Sequence, residues 1–135
     1  VGHNPQAADV LADNIEKTRE AGSLEIAVCG MLHDKDIVSV TEKLKDTFDA
    51  WFTATLTGPR AAVAQELNDY LAKAGVPAEK IHSNEDVASA LSGARALARA
   101  SRRENPGRPV RITVFGSFVT VSAALELLAA EGIRR

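Results

Sequence analysis

The feature that most constrains this chain is an alternation. Short apolar runs rich in β-branched residues take turns with longer stretches whose apolar residues recur every three to four positions. The spacing predicts five helices. Residues 5–21 place Ala8, Leu11 and Ile15 on one stripe and stop at Gly22. Residues 37–47 align Ile37, Val40 and Leu44, and residues 61–74 align Val63, Leu67, Leu71 and Ala74 before Gly75 and Pro77. Residues 84–101 align Val87, Leu91, Ala94 and Ala98. Residues 119–131 align Val121, Leu125 and Leu128 before Gly132. Gly and Pro just past each pattern are ordinary helix stops. Between these stretches lie Leu24–Cys29, Ala50–Leu56 with Trp51 and Phe52, a weak Lys80–His82, and Val110–Phe115. Their β-branched and aromatic content favours strands. Val1 reads as the tail of a further strand.

Strands that alternate with helices imply βαβ units. The expected fold class is therefore α/β: a Rossmann-like three-layer domain, with a mainly parallel sheet and helices on both faces. The 135 residues suit one domain with a real core, and no repeat or low-complexity linker divides residues 1–135. A hydrophobic fraction of 45% and a charged fraction of 25% exclude a disordered chain. The net charge of −2 argues against nucleic acid as a partner, and no apolar run approaches a membrane span. Arg102, Arg103 and Arg108 are read as solvated surface. Cys29 is the one cysteine, which rules out an internal disulfide and reads as a buried core thiol. A cytoplasmic location is expected. The opening Val-Gly-His-Asn-Pro, without an initiator Met, reads as a chain cut just after a strand.

Ligands of open α/β sheets bind beyond the carboxyl ends of the strands. That rule directs attention to four loops, and more weakly to a fifth around His82 and Ser83. In His3-Asn4-Pro5, Asn4 is a good helix cap, while His3 would stand where free backbone N–H groups attract anions. The loop Gly30 to Asp36 carries His33, Asp34, Lys35 and Asp36. Asp36 could cap the next helix; Lys35 could meet an anion and the carboxylates an amine. His33 and Asp34 also allow a metal-ligand reading, with nothing in the spacing to fix a geometry. Thr57-Gly58-Pro59-Arg60 puts a cation at a helix start, against the helix dipole, so Arg60 is a candidate ligand contact. Gly116-Ser117-Phe118 opens the last helix, where Ser117 is either a cap or an anion holder. There is no P-loop, no dinucleotide-binding glycine pattern and no nucleophilic serine signature.

Together these loops resemble a known family. The ordered set His-Asn-Pro at 3–5, Gly-Met-Leu-x-Asp-Lys-Asp at 30–36, Pro-Arg-Ala at 59–61 and Gly-Ser-Phe-x-Thr-Val at 116–121 is similar to the C-terminal domain of dihydrofolate synthase/folylpolyglutamate synthases. These are relatives of the Mur ligases. The resemblance covers essentially the whole chain. It implies an ATP-dependent carboxylate-amine ligase that phosphorylates a pteroate or folate carboxylate and lets the amine of L-glutamate attack the acyl phosphate. ATP and Mg2+ would be held mainly by a central ATPase domain that this chain lacks, leaving the chain inactive by itself. His3 and Asn4 would face the nucleotide. Asp34, Lys35, Asp36 and Ser117 would bind glutamate, Arg60 and His33 are possible ligand contacts, and no metal ligand and no catalytic residue is assigned within the chain. The family motif begins with an Asp that would directly precede Val1. The implied partners are ATP, L-glutamate, dihydropteroate or folate, and the N-terminal and central domains of the same polypeptide, in a monomer. The alternatives are the C-terminal domain of a Mur-type cell-wall ligase and a free-standing α/β binding module.

Overall fold

A computed structural model of the chain describes residues 5–31, 36–58 and 62–116. The expected helix over 119–131 and the strand tail at Val1 lie outside them. Four strands form one parallel sheet: β1 (Leu24–Gly30), β2 (Ala50–Ala54), β3 (Ile81–Asn84) and β4 (Val110–Gly116). The helices are α1 (Pro5–Thr18), α2 (Ile37–Leu44), α3 (Ala64–Ala74) and α4 (Val87–Glu104), with a single 3-10 turn at Ala78–Lys80. The strand order is β3-β2-β1-β4. The α/β, parallel, three-layer expectation holds.

β1 lies between two neighbours and every one of its residues is buried. That is why it reads as an apolar run and not as an alternation. Side chains still alternate between two cores. Ala27, Cys29, Trp51 and Phe115 face one core with Ala8 and Ile15 of α1, Val40 and Leu44 of α2, and Leu67 and Leu71 of α3. Ile26, Val28, Phe52 and Ala54 face the other, against Val87, Ala90, Leu91, Ala94 and Ala98 of α4. Phe48, Trp51 and Phe115 fill the first core as an aromatic trio. Phe48 and Phe115 stack at 5.4 Å, and Trp51 meets each of them edge-on at 5.2 and 5.9 Å.

Element ends moved by a few residues, each for a local reason. α1 stops at Thr18, short of residue 21, because the chain turns there, with Ser23 N–H donating to the Glu20 carbonyl at 3.1 Å. α4 begins at Val87 because Asp86 caps it, accepting from Ser89 N–H at 2.7 Å. It then runs on to Glu104, past the expected residue 101. α3 ends at Gly75, whose φ of 107° gives the left-handed turn that closes a helix. The weak third strand is real: Ile81–Asn84 pairs in parallel with Trp51–Ala54. No helix among the described residues is long and apolar enough to cross a membrane.

The connectivity sets where a site can form. From β1 the chain steps to β2 and then to β3 in one direction, with α2 and α3 packed in the core on one face. It then crosses the other face through α4 and returns to the far side of β1 as β4. The order therefore reverses between β1 and β4. In open parallel sheets a crevice opens beyond the carboxyl ends at such a switch point.

Candidate functional site at the carboxyl edge of the sheet

Gly30 and Gly116 are register partners at the carboxyl ends of β1 and β4. The structure thus brings together the first residues of the two glycine-led motifs, 30–36 and 116–121. A third loop root joins them: Ala62 N–H donates to the Met31 carbonyl at 3.0 Å, across from β1 to the segment that follows β2. That segment is anchored again where Ala64 N–H donates to Thr55 Oγ1 at 2.8 Å. The helix start at Val63 has no side-chain cap of its own, so Thr55 supplies the missing acceptor from the strand end. Thr55 N–H in turn reaches the Asn84 carbonyl, at 3.2 Å, beside β3. Met31 is fully buried, so its side chain belongs to the core while its carbonyl serves the loop.

His3, Asn4, His33, Asp34, Lys35, Arg60 and Ser117 lie outside the described residues. Their roots do not. Asp36 is described, and its carboxylate caps α2: Oδ1 accepts from Ser39 N–H at 3.1 Å and Oδ2 from Ser39 Oγ at 2.8 Å. The capping alternative for Asp36 is the one the hydrogen bonds display. The first turn of α1 starts at Pro5. α1 enters β1 at the amino edge through residues 19–23, so Pro5 sits at the far end of a helix about 21 Å long at 1.5 Å per residue.

Thr55, Ala62 and the Met31 carbonyl were not singled out from sequence. Thr55 was read as part of a strand, and a backbone acceptor leaves no mark in a sequence. Thr55 stands nine residues before Ala64, beyond the reach of a local capping pattern, which links residues two or three positions apart.

Cys29 adjoins the site in sequence, but its thiol is 3% exposed and burial pushes its pKa up to about 12. It stays protonated and inert. No three His, Cys, Asp or Glu side chains among the described residues gather to hold a metal ion. The amino edge carries two open clefts, one beside Gly22, Asn105 and Arg108, the other beside Thr18, Glu25 and Arg111. Both lie at the end of the sheet away from the switch-point loops. The arrangement at the carboxyl edge suits recognition through backbone groups and loop side chains, with the sheet as a rigid base.

Comparison with known proteins places this geometry. Residues 1–118 match the family described as Mur ligase, glutamate ligase domain. The dihydrofolate synthase/folylpolyglutamate synthase of Escherichia coli K12 is 36% identical over 130 residues, which is 96% of this chain and 27% of that protein. A structure of E. coli FolC in complex with ADP, without folate substrate, superposes with a TM-score of 0.79 at 34% identity, over 97% of this chain and 28% of that one. A bifunctional folylpolyglutamate synthase/dihydrofolate synthase with Mn, AMPPNP and L-glutamate bound gives a TM-score of 0.69 at 30% identity, over 94% of this chain and 27% of that one. The chain spans about a quarter of the length of the curated relatives it matches.

Proposed function

Because this chain belongs to the family of Mur ligase glutamate ligase domains, we propose that its 135 residues form one domain of a larger ATP-dependent ligase that adds L-glutamate to dihydropteroate or folate. The observation that carries the reading is the pairing of Gly30 with Gly116, joined by the Ala62–Met31 hydrogen bond. It gathers the roots of the loops holding Asp34, Lys35, Arg60 and Ser117 at one switch point. Glutamate brings two carboxylates and an ammonium group. Lys35 and Ser117 suit the carboxylates, and Asp34 suits the ammonium. Asp36 caps the start of α2, and its remaining lone pairs allow it to share that ammonium. His33, in the loop after β1, and Arg60, in the loop after β2, are further ligand contacts.

His3 and Asn4, which directly precede α1 in sequence, serve the nucleotide. ATP, when bound, supplies the phosphoryl group that activates the acceptor carboxylate. Its phosphates and the accompanying Mg2+ are held chiefly by parts of the polypeptide beyond these residues, which contain no P-loop. The work of this chain is to bind glutamate, point its amine at the activated carboxylate and exclude water, the positioning contribution that dominates such transfers. The whole polypeptide acts as a cytoplasmic monomer.

The test is ADP release by the polypeptide translated from the complete reading frame. Release is expected to require L-glutamate together with dihydropteroate or folate, and Lys35→Ala and Ser117→Ala are each expected to raise the KM for glutamate or lower kcat. The 135-residue chain alone is expected to release no ADP above blank. Release driven by a nucleotide-peptide acceptor instead of a folate would reassign the protein to the cell-wall branch of the family.

A further inference from the structure

The structure assigns to Gly116 a positioning role in glutamate binding, an inference that rests on the ligase reading above. By lacking a side chain, Gly116 lets the ends of β1 and β4 close on each other and sets the course on which the chain leaves β4 toward Ser117.

Gly116 has a φ of 126°, in the region that residues with a side chain rarely adopt. A Cβ at this position would stand 2.1 Å from the Gly30 carbonyl oxygen, 3.1 Å from the Gly30 carbonyl carbon and 3.2 Å from the Gly30 nitrogen. In a regular strand Cβ points out of the sheet. Here it would point at the neighbouring backbone, so the chain has rotated out of the pleat at this residue. The atoms in the way are main chain of the central strand, which is buried along its whole length and cannot give.

Three other described glycines have positive φ: Gly22 at 76°, Gly58 at 106° and Gly75 at 107°. An added Cβ at any of them would meet nothing within 4 Å. They need glycine for backbone conformation alone. Gly116 needs it also for a close approach, and it does so at the switch point, one residue before a proposed glutamate contact. The same strand end holds the third loop through the Met31 carbonyl. A methyl group at 116 would therefore spread β4 from β1 and displace the groups that follow both. Displacements near 1 Å in a positioned site cost on the order of a hundredfold in rate.

The experiment compares Gly116→Ala with Gly75→Ala in the full-length ligase. Both add a methyl group at a positive φ, so both are expected to lower the melting temperature. Gly116→Ala alone is expected to lower kcat/KM for L-glutamate by about tenfold or more, with the KM for ATP within a few-fold of the unaltered enzyme. Unaltered glutamate kinetics in a folded Gly116→Ala protein, or an equal loss in Gly75→Ala, would overturn the role. Should Gly116→Ala not fold, the unaltered enzyme labelled with [15N]glycine is titrated with L-glutamate. The Gly30 and Gly116 resonances are expected to move while those of Gly22 and Gly75 stay; stationary Gly30 and Gly116 resonances overturn the role. An unaltered enzyme that releases no ADP in response to glutamate overturns the ligase reading instead, and the two failures are thereby told apart.

Discussion

The two ends of the sheet are built differently. At the amino edge, side chains lock the elements together. Glu25 is 1% exposed in the middle of the sheet, and its carboxylate accepts from Arg111 Nε at 2.7 Å and from Ser23 Oγ at 2.6 Å. Arg111 also donates to the Thr18 hydroxyl and the Ile15 carbonyl, which fastens the end of α1. Asp49 completes the lock: its carboxylate accepts from Glu25 N–H at 2.8 Å, and its own N–H donates to the Glu25 carbonyl at 2.7 Å. Arg19 reaches the Thr47 carbonyl. At the carboxyl edge the ties at the end of β1 are backbone contacts, and glycines stand where β1 and β4 end. Labour is thus divided along the strand axis. Charged side chains fasten the elements at one end, and at the other the ends of β1 and β4 are glycines joined through backbone.

Arg111→Ala tests this division with the largest effect. It strands the Glu25 carboxylate in the sheet without its cation. Removing one partner of a buried pair costs roughly 3–5 kcal/mol, and the lower end applies because the Arg111 side chain is 34% exposed. Hydrogen exchange of the β1 amides in the full-length polypeptide should quicken accordingly. The KM for glutamate should not change, and a large rise in it would break the comparison.

Thr55→Val sharpens it from the other end. Valine keeps the shape and removes the acceptor for Ala64 N–H, at a cost of about 1 kcal/mol. Glutamate kinetics are expected to worsen despite this smaller loss, since the loop that carries Arg60 loses an anchor. Unaltered kinetics would mean that this loop does not serve the site.

Asp86 provides the smallest effect. Its hydrogen bonds from the Ser89 backbone N–H and side chain hold its carboxyl below the usual carboxylate range. A lowered folded pKa stabilises the protein at pH above the unfolded value of about 4, and that contribution fades as pH falls through the folded value. Asp86→Asn keeps a capping oxygen without titrating. It should leave stability near pH 7 almost unchanged and flatten the acid limb of a melting-temperature profile. An acid limb identical to that of the unaltered protein would remove this cap from the account.

Much of the chain was legible before any coordinates. Leu24–Cys29 and Val110–Phe115 are runs whose β-branched residues suit strands, and the stripes of α1 to α4 follow the helical period. These are local signals, since each depends on residues a few positions apart. The loops after β1, β2 and β4 follow from the alternation itself, because a parallel sheet puts every strand's carboxyl end on one edge. The first helix was read three residues too long because apolar spacing does not register the turn that ends it.

The residues alone establish the strands β1 to β4 and the helices α1 to α4, the α/β class, and the family, through the motifs at 3–5, 30–36, 59–61 and 116–121. Which elements become neighbours is settled only by long-range packing. Nothing in the sequence says that β4 returns beside β1, that Gly30 faces Gly116, that Ala62 reaches the Met31 carbonyl or that Arg111 meets Glu25 across 86 residues. The physical reason is range. Periodicity, capping and turn preference act within a few residues, while strand order and a close backbone approach depend on pairings distant in sequence, fixed only when both faces of the sheet are covered.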